Sequence, residues 1–154
     1  MKFERADALN PEQLQREFLQ RFATAFASLN ADNLERLGEL YTEDVRFQDP
    51  LHEIHGLPAL QEYFRELYAN VAELHFQFYG FDQLHPGAGY LRWKMSYRHP
   101  RLKGGQLIEV EGCSHLLWRD KVYAHRDYFD AGALLYEHLP LLGRVIRWLK
   151  GRLV

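Results

Sequence analysis

The chain has 154 residues, 47% of them hydrophobic and 14% aromatic, enough to bury one sizeable core. Nineteen Lys and Arg against 21 Asp and Glu leave a formal charge of −2, which removes the electrostatic reason to expect a nucleic-acid partner. A lone cysteine (Cys113) excludes an internal disulfide, and neither a secretory h-region near Met1–Glu12 nor an apolar run of roughly 20 residues occurs, so one soluble, cytoplasmic domain over residues 1–154 is expected.

Asn10-Pro11-Glu12-Gln13 reads as a helix start, with Asn10 as cap, Pro11 in the first turn and Gln13 reaching back. Leu14, Phe18, Phe22, Phe26 and Leu29 then recur at helical spacing. Asp32 is placed to cap a second, shorter helix carrying Leu34, Leu37 and Tyr41. Val45, Phe47 and Asp49 alternate with Arg46 and Gln48, a strand signal that Pro50 ends. His52 to His55 reads as loop, and Gly56 and Pro58 open a third helix through Leu60, Tyr63, Phe64, Leu67, Tyr68 and Val71. Long strands follow over 74–84, 90–98, 107–118 and 122–130, separated by turns short enough to make neighbours antiparallel. Residues 132–154 read as a closing helix, or as two pieces divided at Pro140. Helices first and a strand meander after them predict an α+β fold: a curved antiparallel sheet covered by three N-terminal helices, core about 12–131, with a C-terminal helical extension. The mouth of such a sheet is a natural small-molecule cavity.

Two acids stand among aromatic strand residues, Asp49 in Phe47-Gln48-Asp49-Pro50 and Asp127 in Arg126-Asp127-Tyr128-Phe129-Asp130. Inward acids on apolar strands are costly unless something uses them, and two facing one pocket suit acid–base chemistry. Turn chemistry before Pro50 is the plainer reading of Asp49, and pairing with Arg126 or Arg92 the plainer one of Asp127. Strand parity puts His125, Asp127 and Phe129 on one face, where His125 can relay protons or simply be hydrogen-bonded. Phe64, Trp93, Met95 and Tyr97 either line the cavity or fill it as core. His52 and His55, or Cys113 and His115, do not converge as a ligand set, so neither metal nor cofactor is expected, and these polar groups read as pocket-mouth residues. Glu109, Glu111, Cys113 and His115 share the outward face of their strand. Arg144, Arg147, Lys150 and Arg152 make the C-terminal helix basic, with Leu139, Leu142, Val145, Ile146 and Leu149 as its apolar side. Packing on the domain or a second subunit is preferred there over contact with a membrane.

This element order, with Tyr41-Thr42-Glu43-Asp44-Val45-Arg46-Phe47-Gln48-Asp49-Pro50 and Arg126-Asp127-Tyr128-Phe129-Asp130, resembles the nuclear transport factor 2-like superfamily over about residues 12–130. That superfamily includes ketosteroid isomerases, SnoaL-like polyketide cyclases and limonene-epoxide hydrolases. The resemblance implies a cone-shaped fold, a homodimer through the outer sheet face, and an apolar pocket for a small, hydrophobic, oxygen-bearing molecule. It casts Asp49 as the isomerases' general base and Asp127 as the hydrolases' water-activating acid, with Phe47, Ser114 and Phe129 among the ligand contacts. The departures are specific. Phe47 stands where the hydrolases have tyrosine, and Trp93 and Met95 where they have arginine and aspartate. The first helix offers Phe18, Phe22 and Phe26 where the isomerases have an oxyanion-binding tyrosine, and Ser114 takes the place of their protonated aspartate. The resemblance thus implies a cofactor-free isomerase, cyclase or epoxide-type hydrolase using Asp49, Asp127 and His125, the alternative being a non-catalytic ligand-binding or dimeric interaction module.

Overall fold

The computed structural model describes residues 11–134 and 140–153. The expected cap at Asn10 lies outside the described residues, as do Leu139 and the side chains of Pro11, Gln13 and Leu14.

Helix α1 (Pro11–Ala27) is followed by a 3-10 turn (Leu34–Arg36) that runs into one turn of helix, α2 (Leu37–Leu40). Strand β1 (Tyr41–Gln48), a short β2 (Glu53–His55) and α3 (Leu57–Asn70) come next. The meander is β3 (Ala72–His85), β4 (Ala88–Arg98), β5 (Ile108–Trp118) and β6 (Val122–Phe129), and the chain closes with α4 (Ala131–Leu134) and α5 (Pro140–Arg152). All six strands form one sheet in the order β2-β1-β6-β5-β4-β3. The architecture is the α+β one read from the sequence: a sheet with helices on its concave face.

Four local readings are corrected. Asp32 caps nothing; Asn33 occupies the cap position, and its Oδ1 instead accepts the backbone N–H of Asn30 at 2.7 Å. Tyr41 is not helical but begins β1, because the second helix lasts a single turn. Glu53–His55 is not loop: it pairs antiparallel with the end of β1 (Phe47↔Ile54), forming the sheet edge. One seam, β1 with β6, is parallel (Phe47↔His125, Gln48↔Arg126), while the other pairs are antiparallel. A parallel seam needs a long crossover, and here the intervening α3 and β3–β5 provide it.

The alternation on β4 is clean: Leu91, Trp93, Met95 and Tyr97 are buried, and Arg92 is exposed on the opposite face. Phe22 and Phe26 of α1 and Phe64 of α3 press on this face, with edge-to-face contacts such as Phe26–Phe76 at 5.2 Å. Each such ring removed from water is worth roughly 1.5–3 kcal/mol. Gly112 is a packing requirement, since a Cβ there would lie 2.5 Å from the Trp93 ring and 2.7 Å from the Tyr128 carbonyl oxygen. Its bare backbone lets the indole cross β5.

Among the described residues, the C-terminal segment holds α4 and α5. α5 is tied to the body by Lys150, whose Nζ lies 3.1 Å from Asp130 Oδ2. Of the apolar side expected to pack on the domain or on a second subunit, Leu142, Val145 and Leu149 are exposed and Ile146 is half-buried, and Leu141 and Trp148 beside them are exposed too. Among the described residues, no helix is long and apolar enough to cross a membrane.

Candidate active site

Between the concave face of the sheet and α3 lies a cavity of about 520 Å³, lined mainly by apolar side chains and large enough for a small organic molecule. Phe47, Phe64, Trp93, Met95, Tyr97 and Phe129 all line it, so the sheet aromatics wall this space without filling it. Asp49 and Asp127 both reach it. Asp49 lies one residue beyond the Gln48↔Arg126 pairing, which sets it level with Asp127 on the neighbouring strand.

Asp49 is almost fully buried. Its Oδ1 accepts the backbone N–H groups of Leu51 and His52, each at 2.7 Å, closing the turn that Pro50 opens. The Tyr63 hydroxyl donates to Oδ2 at 2.9 Å, and His52 Nδ1 lies 3.2 and 3.3 Å from the two oxygens. The carboxylate therefore faces four donor groups from three residues. Because it can only accept, His52 carries a proton on Nδ1. Burial first, and the Asp49 charge second, push the Tyr63 hydroxyl well above the ordinary tyrosine range, so Tyr63 stays neutral and donating. Asp127 adds to the same effect, a sign that both acids act on one hydroxyl.

Asp127 is held differently. Ser114 Oγ donates to its Oδ1 at 2.5 Å, and His125 Nε2 lies 2.6 Å from the same oxygen. Trp93 Nε1 donates to Ser114 Oγ at 2.8 Å, so an indole, a hydroxyl and an imidazole fix one carboxylate oxygen. His125 is buried, and its Nδ1 is 2.8 Å from the Tyr41 hydroxyl. With Nε2–H directed at a carboxylate, Nδ1 accepts and Tyr41 donates. Burial, then the Asp127 charge, raise the Tyr41 hydroxyl well above its ordinary value, which keeps that proton in place. Arg126 and Arg92 take no part: Arg126 is exposed on the outer face, and Arg92 pairs with Asp82 at 2.8 Å. Among the described residues, Asp127 Oδ2 has no hydrogen-bond partner, and the side chain retains 16% of its exposure, at the cavity.

His125 and Ser114 thus stand behind Asp127, beside a minor void of about 10 Å³, and not on the main cavity wall. The sequence reading did not give Tyr41 and Tyr63 a role. The signal was present, because a tyrosine on the apolar stripe of a helix or at a buried strand position needs a partner for its hydroxyl. At the mouth stand His52, Glu66, Asn70, His99 and Arg101. Burial raises the Tyr97 hydroxyl to about 12, and that group donates to the Leu134 carbonyl, fastening α4 over the rim.

This arrangement has counterparts. A protein with a ketosteroid isomerase-like fold from Catenulispora acidiphila superposes with a TM-score of 0.68 at 16% identity, over 77% of this chain and 93% of its own. TsrD from Streptomyces laurentii gives 0.68 at 16%, over 86% and 98%. A candidate SnoaL-like polyketide cyclase from Jannaschia gives 0.65 at 15%, over 84% and 95%. At these identities the likeness establishes the fold. No curated protein matches the sequence. The SnoaL-like domain model matches residues 19–125, from the second half of α1 to the first half of β6, and the chain therefore belongs to the SnoaL-like family.

Proposed function

We propose that this protein is a cofactor-free acid–base enzyme that moves a proton next to a carbonyl group of a small apolar molecule, in an isomerisation or cyclisation. The observation carrying this reading is the open Oδ2 of Asp127 facing an apolar cavity while Oδ1 is pinned by Ser114 and His125. The base moves from Asp49, where the family resemblance put it, to Asp127, because the oxygens of Asp49 are engaged by Leu51, His52 and Tyr63. His52 is the acid. It acts in its doubly protonated form: Asp49 holds the Nδ1–H, and the ring stands on the cavity wall, leaving the Nε2–H to serve substrate.

Asp127 Oδ2 removes a proton from the carbon beside the carbonyl. The C–H electron pair becomes the enol C=C, and the carbonyl π pair moves to oxygen, which takes a proton from His52 Nε2. In an isomerisation the Asp127 proton goes to a different carbon, while the enol O–H returns its proton to His52 and the carbonyl re-forms. In a cyclisation the enol π pair forms the new C–C bond to a second carbonyl, the enol O–H returns its proton to His52, and the second carbonyl's π pair moves to its oxygen, which takes the proton from Asp127. Tyr41 and His125 fix the orientation of Asp127. Water activation is less well supported, since a hydrolytic water needs several anchors and the wall beside Asp127 is Trp93, Met95 and Phe129.

The test is deuterium uptake in D2O by a panel of apolar β,γ-unsaturated ketones and β-keto esters, followed by NMR. Uptake by the native chain should fall roughly 10²–10⁴-fold in Asp127→Asn, with ligand binding kept. Uptake unchanged in that variant, or a ketone that binds without exchanging, overturns the reading; the second outcome leaves a ligand-binding module.

A further inference from the structure

α5 turns its apolar side outwards. Leu141, Val145, Trp148 and Leu149 form a stripe at helical spacing and are 77%, 45%, 56% and 49% exposed. The side toward the body carries Gly143, which is buried, and Lys150, which holds Asp130. Arg144 edges the stripe and Arg152 stands at its C-terminal end, and no Asp or Glu occurs from residue 138 to 154. The Arg152 guanidinium lies 4.5 Å from the centre of the Trp148 ring, so cation and indole share one edge. An exposed aliphatic stripe with a tryptophan, flanked by arginines, has the chemistry of a helix lying in a lipid headgroup layer.

We propose that α5 docks the protein on the surface of an anionic lipid bilayer. Leu141, Val145, Trp148 and Leu149 enter the acyl boundary, and Arg144 and Arg152 meet headgroup phosphates. A second copy of the chain is the competing occupant, and charge disfavours it. Two α5 helices face to face bring their Arg144 and Arg152 side chains together, and α5 carries no acid of its own. Lipid phosphate supplies that counter-charge. The placement is also apt, because Asp130, which holds Lys150, directly follows the cavity-lining Phe129. Docking through α5 therefore sets the cavity rim beside the lipid surface.

The full chain is sedimented with vesicles of phosphatidylglycerol and, separately, of phosphatidylcholine. Binding should be strong to the first, weak to the second and reduced by salt, with a blue shift in tryptophan emission. Trp148 reports that shift, since Trp93 and Trp118 are only 2% and 4% exposed. Leu149→Asp should abolish binding, and Arg144→Gln with Arg152→Gln should weaken it roughly 25-fold, about fivefold per cation. All three side chains are exposed, and an unchanged melting temperature checks that the fold survives. Equal binding to both lipids, or binding to neither, overturns the proposal. Binding to neither, together with a dimer at sedimentation equilibrium that Leu149→Asp splits, assigns the stripe to a second copy. Vesicle binding is measured without turnover, so its failure and that of the acid–base reading are separable.

Discussion

The two acids on the cavity wall sit level on adjacent strands, and each is paired with a histidine, yet they are built in opposite senses. At Asp127 the histidine is buried behind the carboxylate, with Tyr41 on its far side, and one carboxylate oxygen faces the cavity. At Asp49 the carboxylate lies behind, saturated by turn N–H groups and Tyr63, and the imidazole of His52 is what reaches the mouth. The same two side-chain types therefore present a base in one place and a proton carrier in the other, according to which group the backbone has already satisfied. What distinguishes them is the supply of local donors: Pro50 forces a turn whose N–H groups converge on Asp49, whereas Asp127 lies mid-strand, its own N–H and C=O committed to the sheet ladder.

The sharpest way to break this contrast is to remove the Asp49 carboxylate. Asp49→Ala leaves two backbone N–H groups and the Tyr63 hydroxyl without their acceptor in a nearly dry place. A loss of about 3 kcal/mol in stability is expected, at 1–3 kcal/mol for each unsatisfied buried group with partial rescue by water. Asp127→Asn retains an oxygen for Ser114 and should cost far less stability while costing far more turnover. Urea unfolding of the two variants in parallel measures the difference; equal destabilisation would remove the distinction between a structural and a reactive acid.

A smaller effect is expected at Tyr41. Tyr41→Phe keeps the ring against Phe22, which it meets edge-on at 5.6 Å, but takes the donor from His125 Nδ1. The cost should be about 1–2 kcal/mol. The informative readout is the pH profile of turnover, because the freed imidazole can turn and release its hold on Asp127. A profile identical to the native one would make Tyr41 a packing residue only.

Strands β1 and β3–β6 and helices α1 and α3 were legible in the sequence because each depends on local periodicity, whereas three-residue β2 and single-turn α2 are too short to show one. Leu91, Trp93, Met95 and Tyr97 alternate with polar residues whatever lies beside them. Parity grouped His125, Asp127 and Phe129 on one face, and the family resemblance turned that face inward. The partners were not legible. That Tyr41 reaches His125 depends on a parallel seam between segments distant in the chain, and no local pattern encodes which strand closes beside which. Tyr63 could be seen to need an acceptor but not which one, since the turn at Pro50 had to bring Asp49 beneath α3. On α5 the two faces could be read, yet which of them faces the body depended on Gly143 and on the tie between Lys150 and Asp130.

Asp130 isolates the contribution of burial to this comparison, because it repeats the turn chemistry of Asp49 on the outside. Its Oδ1 accepts the N–H groups of Gly132 and Ala133 at 2.8 and 3.2 Å, and its Oδ2 takes Lys150. The Lys150 hydrogen bond, with help from the Ala133 N–H, holds this carboxyl below the ordinary aspartate range. A carboxyl depressed in the folded state contributes its stabilisation fully above the unfolded value, about pH 3.9, and loses it as pH falls through the lower folded value. Both side chains of the ion pair are about half exposed, so water screens it and it is worth no more than about 0.5–1 kcal/mol. Acidification should accordingly loosen α4 and α5 before the sheet, seen as faster amide exchange in 141–152 while the β4 and β5 amides stay protected. In Asp130→Ala that acid-induced step should vanish, with exchange in α5 already fast at neutral pH. A step that survives the substitution would assign the acid sensitivity to another carboxylate and leave α5 held by something other than Lys150 and Asp130.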